Sequence, residues 1–154
     1  MRFKVKRKCG TCTACCDGRM VLDIFGKKFN GRPCHYVGDT GCKIYKHRPE
    51  NPCKTFNCGW LRDEYFKYPA FLKPNNSGFL LMDWKKTDTG IPFIIAISGK
   101  DGYSNEAFLW LIDHCNKENL NIEFILQTPY KSKHYIGSKE FRDYYKKKNG
   151  KINI

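Results

Sequence analysis

No uninterrupted apolar stretch in the chain approaches the roughly 18 residues that a membrane-crossing helix requires, so no membrane span is expected. The opening Met1-Arg2-Phe3-Lys4-Val5-Lys6-Arg7-Lys8 is charged and leads into no apolar run. It does not read as a secretory signal, and the protein is expected to be cytoplasmic. Acidic residues are scarce, with 15 Asp and Glu against 28 Lys and Arg, for a formal charge of +13. Aliphatic residues are sparse between Cys9 and Cys58, which excludes a segment held together by apolar burial alone. There is no Ser-His-Asp pattern, phosphate loop, H-E-x-x-H or dinucleotide fingerprint, and this lowers the expectation of an enzyme. Neither an internal repeat nor a low-complexity segment interrupts the chain.

Cysteine is what the sequence has in excess. Of the 9 cysteines, all but Cys115 fall at Cys9, Cys12, Cys15, Cys16, Cys34, Cys42, Cys53 and Cys58. Thiolates two residues apart can turn inward on one loop and take neighbouring positions around a soft metal, so C-x2-C spacing points to metal ligation. A disulfide framework is the competing reading. In a reducing cytoplasm clustered thiols more often hold metal.

The 154 residues fit one domain. Residues 1–60 carry 13 Lys and Arg against 4 Asp and Glu, a formal +9, while residues 61–154 carry 15 against 11, a formal +4. Charge of this sign suggests an anionic partner. Metal ligation, however, requires thiolates, and eight of them around two divalent ions would cancel about four positive charges. Part of the excess therefore reads as compensation for a buried anionic site.

In the first part, Met20–Phe25 ends at Gly26 and reads as a strand. Gly38-Asp39-Thr40-Gly41 reads as a turn between arms carrying Cys34 and Cys42. Pro49 and Pro52 exclude a regular strand and leave a short helical turn or loop to deliver Cys53 and Cys58. Such a run of turns gains its missing folding energy from metal. In the second part, Gly78–Trp84 and Ile91–Ile97 predict an antiparallel hairpin. Ser104 predicts the cap of a helix through about Lys117, Asn121–Gln127 a strand, His134–Ile136 a short segment after Pro129, and Ser138 the cap of a helix over 139–148. The expected fold is α+β: an irregular metal-stabilised cysteine module (residues 1–60) packed with a small antiparallel sheet and two helices (residues 61–154) as one compact unit.

The string from Cys9 through Cys12 and Cys15 to Cys16 is followed by Pro33-Cys34, Gly41-Cys42-Lys43-Ile44-Tyr45, Arg48-Pro49, Cys53, Phe56 and Cys58-Gly59-Trp60. This arrangement resembles the YkgJ-type cysteine-cluster family, described as zinc- or iron-chelating, over roughly residues 9–60. The resemblance implies that the eight clustered cysteines are the metal ligands. The family typically opens with C-x3-C, where this chain has Cys9-x2-Cys12. It also includes the bacterial flagellin lysine N-methylase, which uses S-adenosylmethionine, but no methyl-donor site is legible in residues 61–154.

Two metals fit the residues. Cys9, Cys12 and Cys15 have the spacing of the first three ligands of a 4Fe-4S loop, although Arg19 and Met20 stand where its Cys-Pro continuation would be. Eight thiols on irregular loops equally suit two zinc sites or a thiolate-bridged zinc pair. Adjacent Cys15 and Cys16 point in different directions, which favours two sites or a polynuclear one. His35 and His47 are candidates for outer-shell partners, Cys115 for a buried helix residue, and Lys146, Lys147, Lys148 and Lys151 for a solvated end. The sequence thus reads as a cytoplasmic iron-sulfur or zinc protein acting as a binding or structural module with a protein partner. Two alternatives remain open: an iron-sulfur enzyme or accessory protein, including a protein-modifying one, and a basic nucleic-acid binder stacking bases on exposed Tyr36, Tyr45, Phe56 and Trp60.

Overall fold

A computed structural model of the protein describes residues 7, 12–29, 31–39, 41–63, 67–82, 84–127 and 130–149. The fold is α+β. Its largest sheet is built from β5 (Phe79–Leu81), β6 (Lys85–Lys86), β7 (Pro92–Ser98), β8 (Ile122–Leu126) and β9 (Ser132–Ile136), in the order β5-β7-β8-β9 with β6 also beside β7. β5 and β6 run antiparallel to β7 as the predicted hairpin. Leu81 faces Ala96 but Lys85 faces Phe93, so the first arm holds one residue more than its partner between the two pairs. This is the count of a bulge.

The main sheet is not wholly antiparallel, as the sequence had suggested: β7 and β8 are parallel, with Ile94 opposite Ile122. The physical reason lies in α2 (Asn105–Lys117), whose 13 residues connect the two strands. A helix of that length spans about 20 Å, close to the length of a seven-residue strand, and so returns the chain to the end where β7 began. Ser104 caps α2, accepting a hydrogen bond from the Ala107 amide at 3.2 Å, and Ser138 caps α3 (Lys139–Lys148) through the Phe141 amide at 3.1 Å. A one-turn helix, α1 (Pro74–Ser77), adds to the two helices expected; its Pro-Asn-Asn-Ser sequence carries turn formers and no apolar period.

Alternation along β7 divides the interior. Ile94 and Ala96 join Ala107, Leu111 and Cys115 of α2, whereas Phe93, Ile95 and Ile97 meet Phe141 and Tyr145 of α3. The cysteine-rich part enters the first of these cores through Ala14, Cys58 and Trp60. It has two small hairpins of its own, β1 (Leu22–Ile24) with β2 (Lys27–Phe29) and β3 (Val37–Gly38) with β4 (Gly41–Cys42). β2 escaped the sequence reading because two lysines hide its single buried residue, Phe29. Both turn residues of the first hairpin, Phe25 and Gly26, have positive φ, 52° and 83°, the geometry that two-residue hairpins favour. A third small core of Leu22, Ile24, Phe29 and Cys34 fills the space behind these hairpins.

Several contacts join the cysteine-rich part to the rest of the fold, among them Arg19, which donates to the Gly78 and Ile97 carbonyls at 2.8 and 3.2 Å. The Gly59 amide donates to the Leu81 carbonyl at 2.6 Å, an approach so close that a Cβ on Gly59 would stand 3.0 Å from that of Leu81. The largely covered side chain of Arg7 donates to the Trp60 and Tyr68 carbonyls at 2.8 and 2.6 Å and pairs with the similarly covered carboxylate of Asp63 at 3.4 Å. Among the described residues no helix is long and apolar enough to cross a membrane.

Candidate functional site

Short turns and a hairpin place several of the clustered cysteines. The tight turn Ala14–Cys16 closes with the Cys16 amide donating to the Thr13 carbonyl at 2.9 Å, and it presents Cys15 and Cys16 in succession. The Cys34 amide donates to the Cys16 carbonyl at 2.8 Å and so brings the second cysteine segment onto the first. Cys42 lies on β4, where it faces Val37. Cys53 sits in the wide turn Glu50–Lys54, closed by amide bonds from Lys54 to Pro49 at 3.3 Å and from Thr55 to Glu50 at 3.0 Å. Extended backbone at Asn51 (φ −114°, ψ 124°) interrupts that turn, in keeping with the two prolines that excluded a strand.

These turns bring Cys12, Cys15, Cys16, Cys34, Cys42 and Cys53 to the wall of one cavity of about 100 Å³. The remaining wall is mainly apolar, with Leu22, Ile24 and Phe56 among its members, and Arg48 lines it as well. Cys58 lies behind the cavity, 8 % exposed, in the core against which Cys12 and Cys15 pack. All eight described cysteines, including Cys115, are free thiols. Cys9 lies outside the described residues, as does Lys151.

The thiols influence one another's ionisation. Interaction with the adjacent Cys16 thiol brings Cys15 down to about 7, against the opposing effect of burial. Cys16 is pushed strongly up as the proton-holding member of that pair, then by burial and by the charges of Cys15, Cys34 and Cys42. Burial raises Cys53, neighbouring Cys34, Cys42 and Cys15 raise it further, and Arg48 opposes them. Cys58 is raised by burial, an effect that the backbone amides of Leu61 and Trp60 partly offset. Proton-free thiolates are thus mutually unfavourable here unless positive charge enters among them.

A soft metal centre fits this chemistry in its donor set: several thiols around one small, apolar-walled space. The side chains do not yet stand as ligands, since among the described residues no three Cys, His, Asp or Glu groups are arranged to hold an ion. No protein family, curated protein or solved structure matches the chain.

Other expected site residues fall elsewhere. His35 and His47 are exposed and do not line the cavity. Cys115 is fully buried on α2, where helical spacing had put it. Of the aromatic residues expected to be exposed for base stacking, only Tyr45 is, at 57 %. Trp60 is buried because its indole donates to the Pro69 carbonyl at 3.2 Å while Arg7 covers its ring at 4.4 Å; Tyr36 and Phe56 are half-buried. Arg48 is the residue that sequence reasoning missed, although it was visible as the only arginine between Cys34 and Cys58.

Proposed function

We propose that the protein is a cysteine-cluster metal protein, in which ligands drawn from Cys12, Cys15, Cys16, Cys34, Cys42 and Cys53, with Cys9 and Cys58, hold one polynuclear centre, four thiolates for a 4Fe-4S cluster or six to seven for a thiolate-bridged zinc pair. The observation that carries this reading is the convergence of six thiols, up to 41 positions apart in sequence, on a single cavity. One shared cavity favours a 4Fe-4S cluster or a thiolate-bridged zinc pair over two separate mononuclear sites. Bound iron-sulfur would supply electron transfer, whereas zinc would supply structural cross-linking. The chain's own residues position the thiols, and Leu22, Ile24 and Phe56 keep water from them. A full thiolate set leaves no open coordination position, which supports a binding or structural role.

Anaerobic purification followed by metal and sulfide analysis tests the proposal. Stoichiometric iron and sulfide with broad visible absorption identifies the cluster, and a colourless protein with bound zinc identifies the other centre. Cys42→Ser lowers the metal content, while Cys115→Ser, at a buried residue that does not line the cavity, leaves it unchanged. Metal-free protein after reconstitution under reducing conditions with either metal would overturn the reading. A second reading, an enzyme or accessory protein, draws support from a groove of about 640 Å³ that begins at Gly59, beside Cys58, and is lined by Arg62, Lys67, Tyr68, Trp84 and His114. Such a volume suits a small-molecule ligand.

A further inference from the structure

Among the described residues two buried side-chain polar atoms lack a hydrogen-bond partner, Asp17 Oδ1 and Arg48 Nε, and only Arg48 lines the thiol cavity. Its side chain lines the thiol cavity, yet its buried Nε–H has no acceptor among the described residues. Such groups are rare in folded proteins, because burying a charged donor without a partner is strongly unfavourable. No carboxylate among the described residues answers it: nearby Glu50 pairs with Lys54 at 3.8 Å, and Asp17 pairs with Arg19 at 3.0 Å. The guanidinium is instead fixed in orientation by the Tyr45 ring, whose centroid lies 4.0 Å from its central carbon.

We infer that Arg48 is a positioning residue for the centre, donating its buried Nε–H to a thiolate sulfur and supplying the cation that a polythiolate site lacks. This inference rests on the metal-centre reading and deepens it: the bound centre carries net negative charge, and the protein meets that charge with one oriented guanidinium. Tyr45 keeps the guanidinium in place by stacking. Lysine at this position would preserve charge but not the planar stack or the directed Nε–H.

The test uses full-length apo-protein, prepared anaerobically with reductant, in wild-type, Arg48→Lys, Arg48→Met and Tyr45→Leu forms. Each is titrated with zinc and with cobalt(II) against a competing chelator, and each is reconstituted separately with iron and sulfide. Partners in a metal's outer shell typically contribute about 10- to 100-fold in affinity. Arg48→Met is expected to lose affinity in that range, with thiolate-to-cobalt absorption still present in the fraction that binds. Arg48→Lys recovers part of the loss, and Tyr45→Leu loses less than Arg48→Met. If iron-sulfur is the resident centre, its reduction potential falls in Arg48→Met, a change that a purely structural role for Arg48 would not produce. Wild-type affinity in Arg48→Met would overturn the inference and leave the metal reading intact. Equal losses in Arg48→Lys and Arg48→Met, accompanied by a lower melting temperature of the apo-protein, would also overturn it, by assigning Arg48 to folding. Absence of metal from the wild type would remove both.

Discussion

Cys15 and Cys16 are neighbours in the chain with opposite acid-base character. Interaction with the adjacent Cys16 draws Cys15 down to about 7, while Cys16, whose thiol donates to the Thr13 carbonyl at 3.3 Å, keeps its proton. The thiolate is the nucleophile, so in metal-free reduced protein Cys15 should be the thiol most reactive at neutral pH. Its alkylation by iodoacetamide, followed by peptide mass spectrometry, should rise as pH increases through about 7, the value at which its thiolate forms. Cys16→Ala removes that interaction, and the midpoint then moves up toward the ordinary thiol range near about 8.5. A Cys15 midpoint that does not respond to this substitution would show that the pair does not interact in solution. Metal protects both residues from the reagent if they are ligands.

At the scale of elements, α2 depends on a short list of contacts. Ala107, Leu111 and Cys115 are fully buried, while Leu109 on the same helix is 64 % exposed. Leu111→Ala should therefore destabilise the protein by about 2–5 kcal/mol, and Leu109→Ala by much less. Comparing the two in urea unfolding isolates packing from helix propensity, since both make the same chemical change. Gly78 makes a different demand. Its φ is +82°, and a Cβ there would meet the Gly102 carbonyl oxygen and Tyr103 Cα at 2.5 and 2.7 Å, so Gly78→Ala combines strain with a clash at the loop leading into α2. A loss of about 1–3 kcal/mol is expected. An unchanged midpoint would mean that the loop relaxes without cost.

The whole molecule couples two unlike halves. β7 and β8 are enclosed by α2 on one face and α3 on the other; the α3-side core contains no residue of the cysteine-rich part, and the α2-side core takes in only Ala14, Cys58 and Trp60 among its buried members. The cysteine-rich part has a small core of its own, Leu22, Ile24, Phe29 and Cys34, and is anchored to the rest through Ala14, Cys58 and Trp60 and the contacts of Arg7, Arg19 and Gly59. Removing metal from the loaded protein should accordingly speed amide hydrogen exchange across β1 to β4 while β7 and β8 stay protected. Equal exchange in the two states would show that the cavity is not a folding element. The net +13 enters at this scale too, because thiolates holding a metal, as proposed, would offset part of it locally.

Local signals in the sequence determined much of this architecture. Ser104 and Ser138 mark their helices because a cap hydroxyl must lie next to the orphaned amides it serves, and the Phe79–Leu81 and Pro92–Ser98 hairpin follows from apolar strands bounded by turn formers. The C-x2-C spacing singled out the thiols as a group, since ligand chemistry restricts which residue types can serve. Only the tertiary structure decided that β7 and β8 run parallel, that Trp60 is buried under Arg7, and that six thiols share one wall with Arg48. Each of these joins residues far apart in the chain, and no local periodicity records which distant side chain will fill a given space.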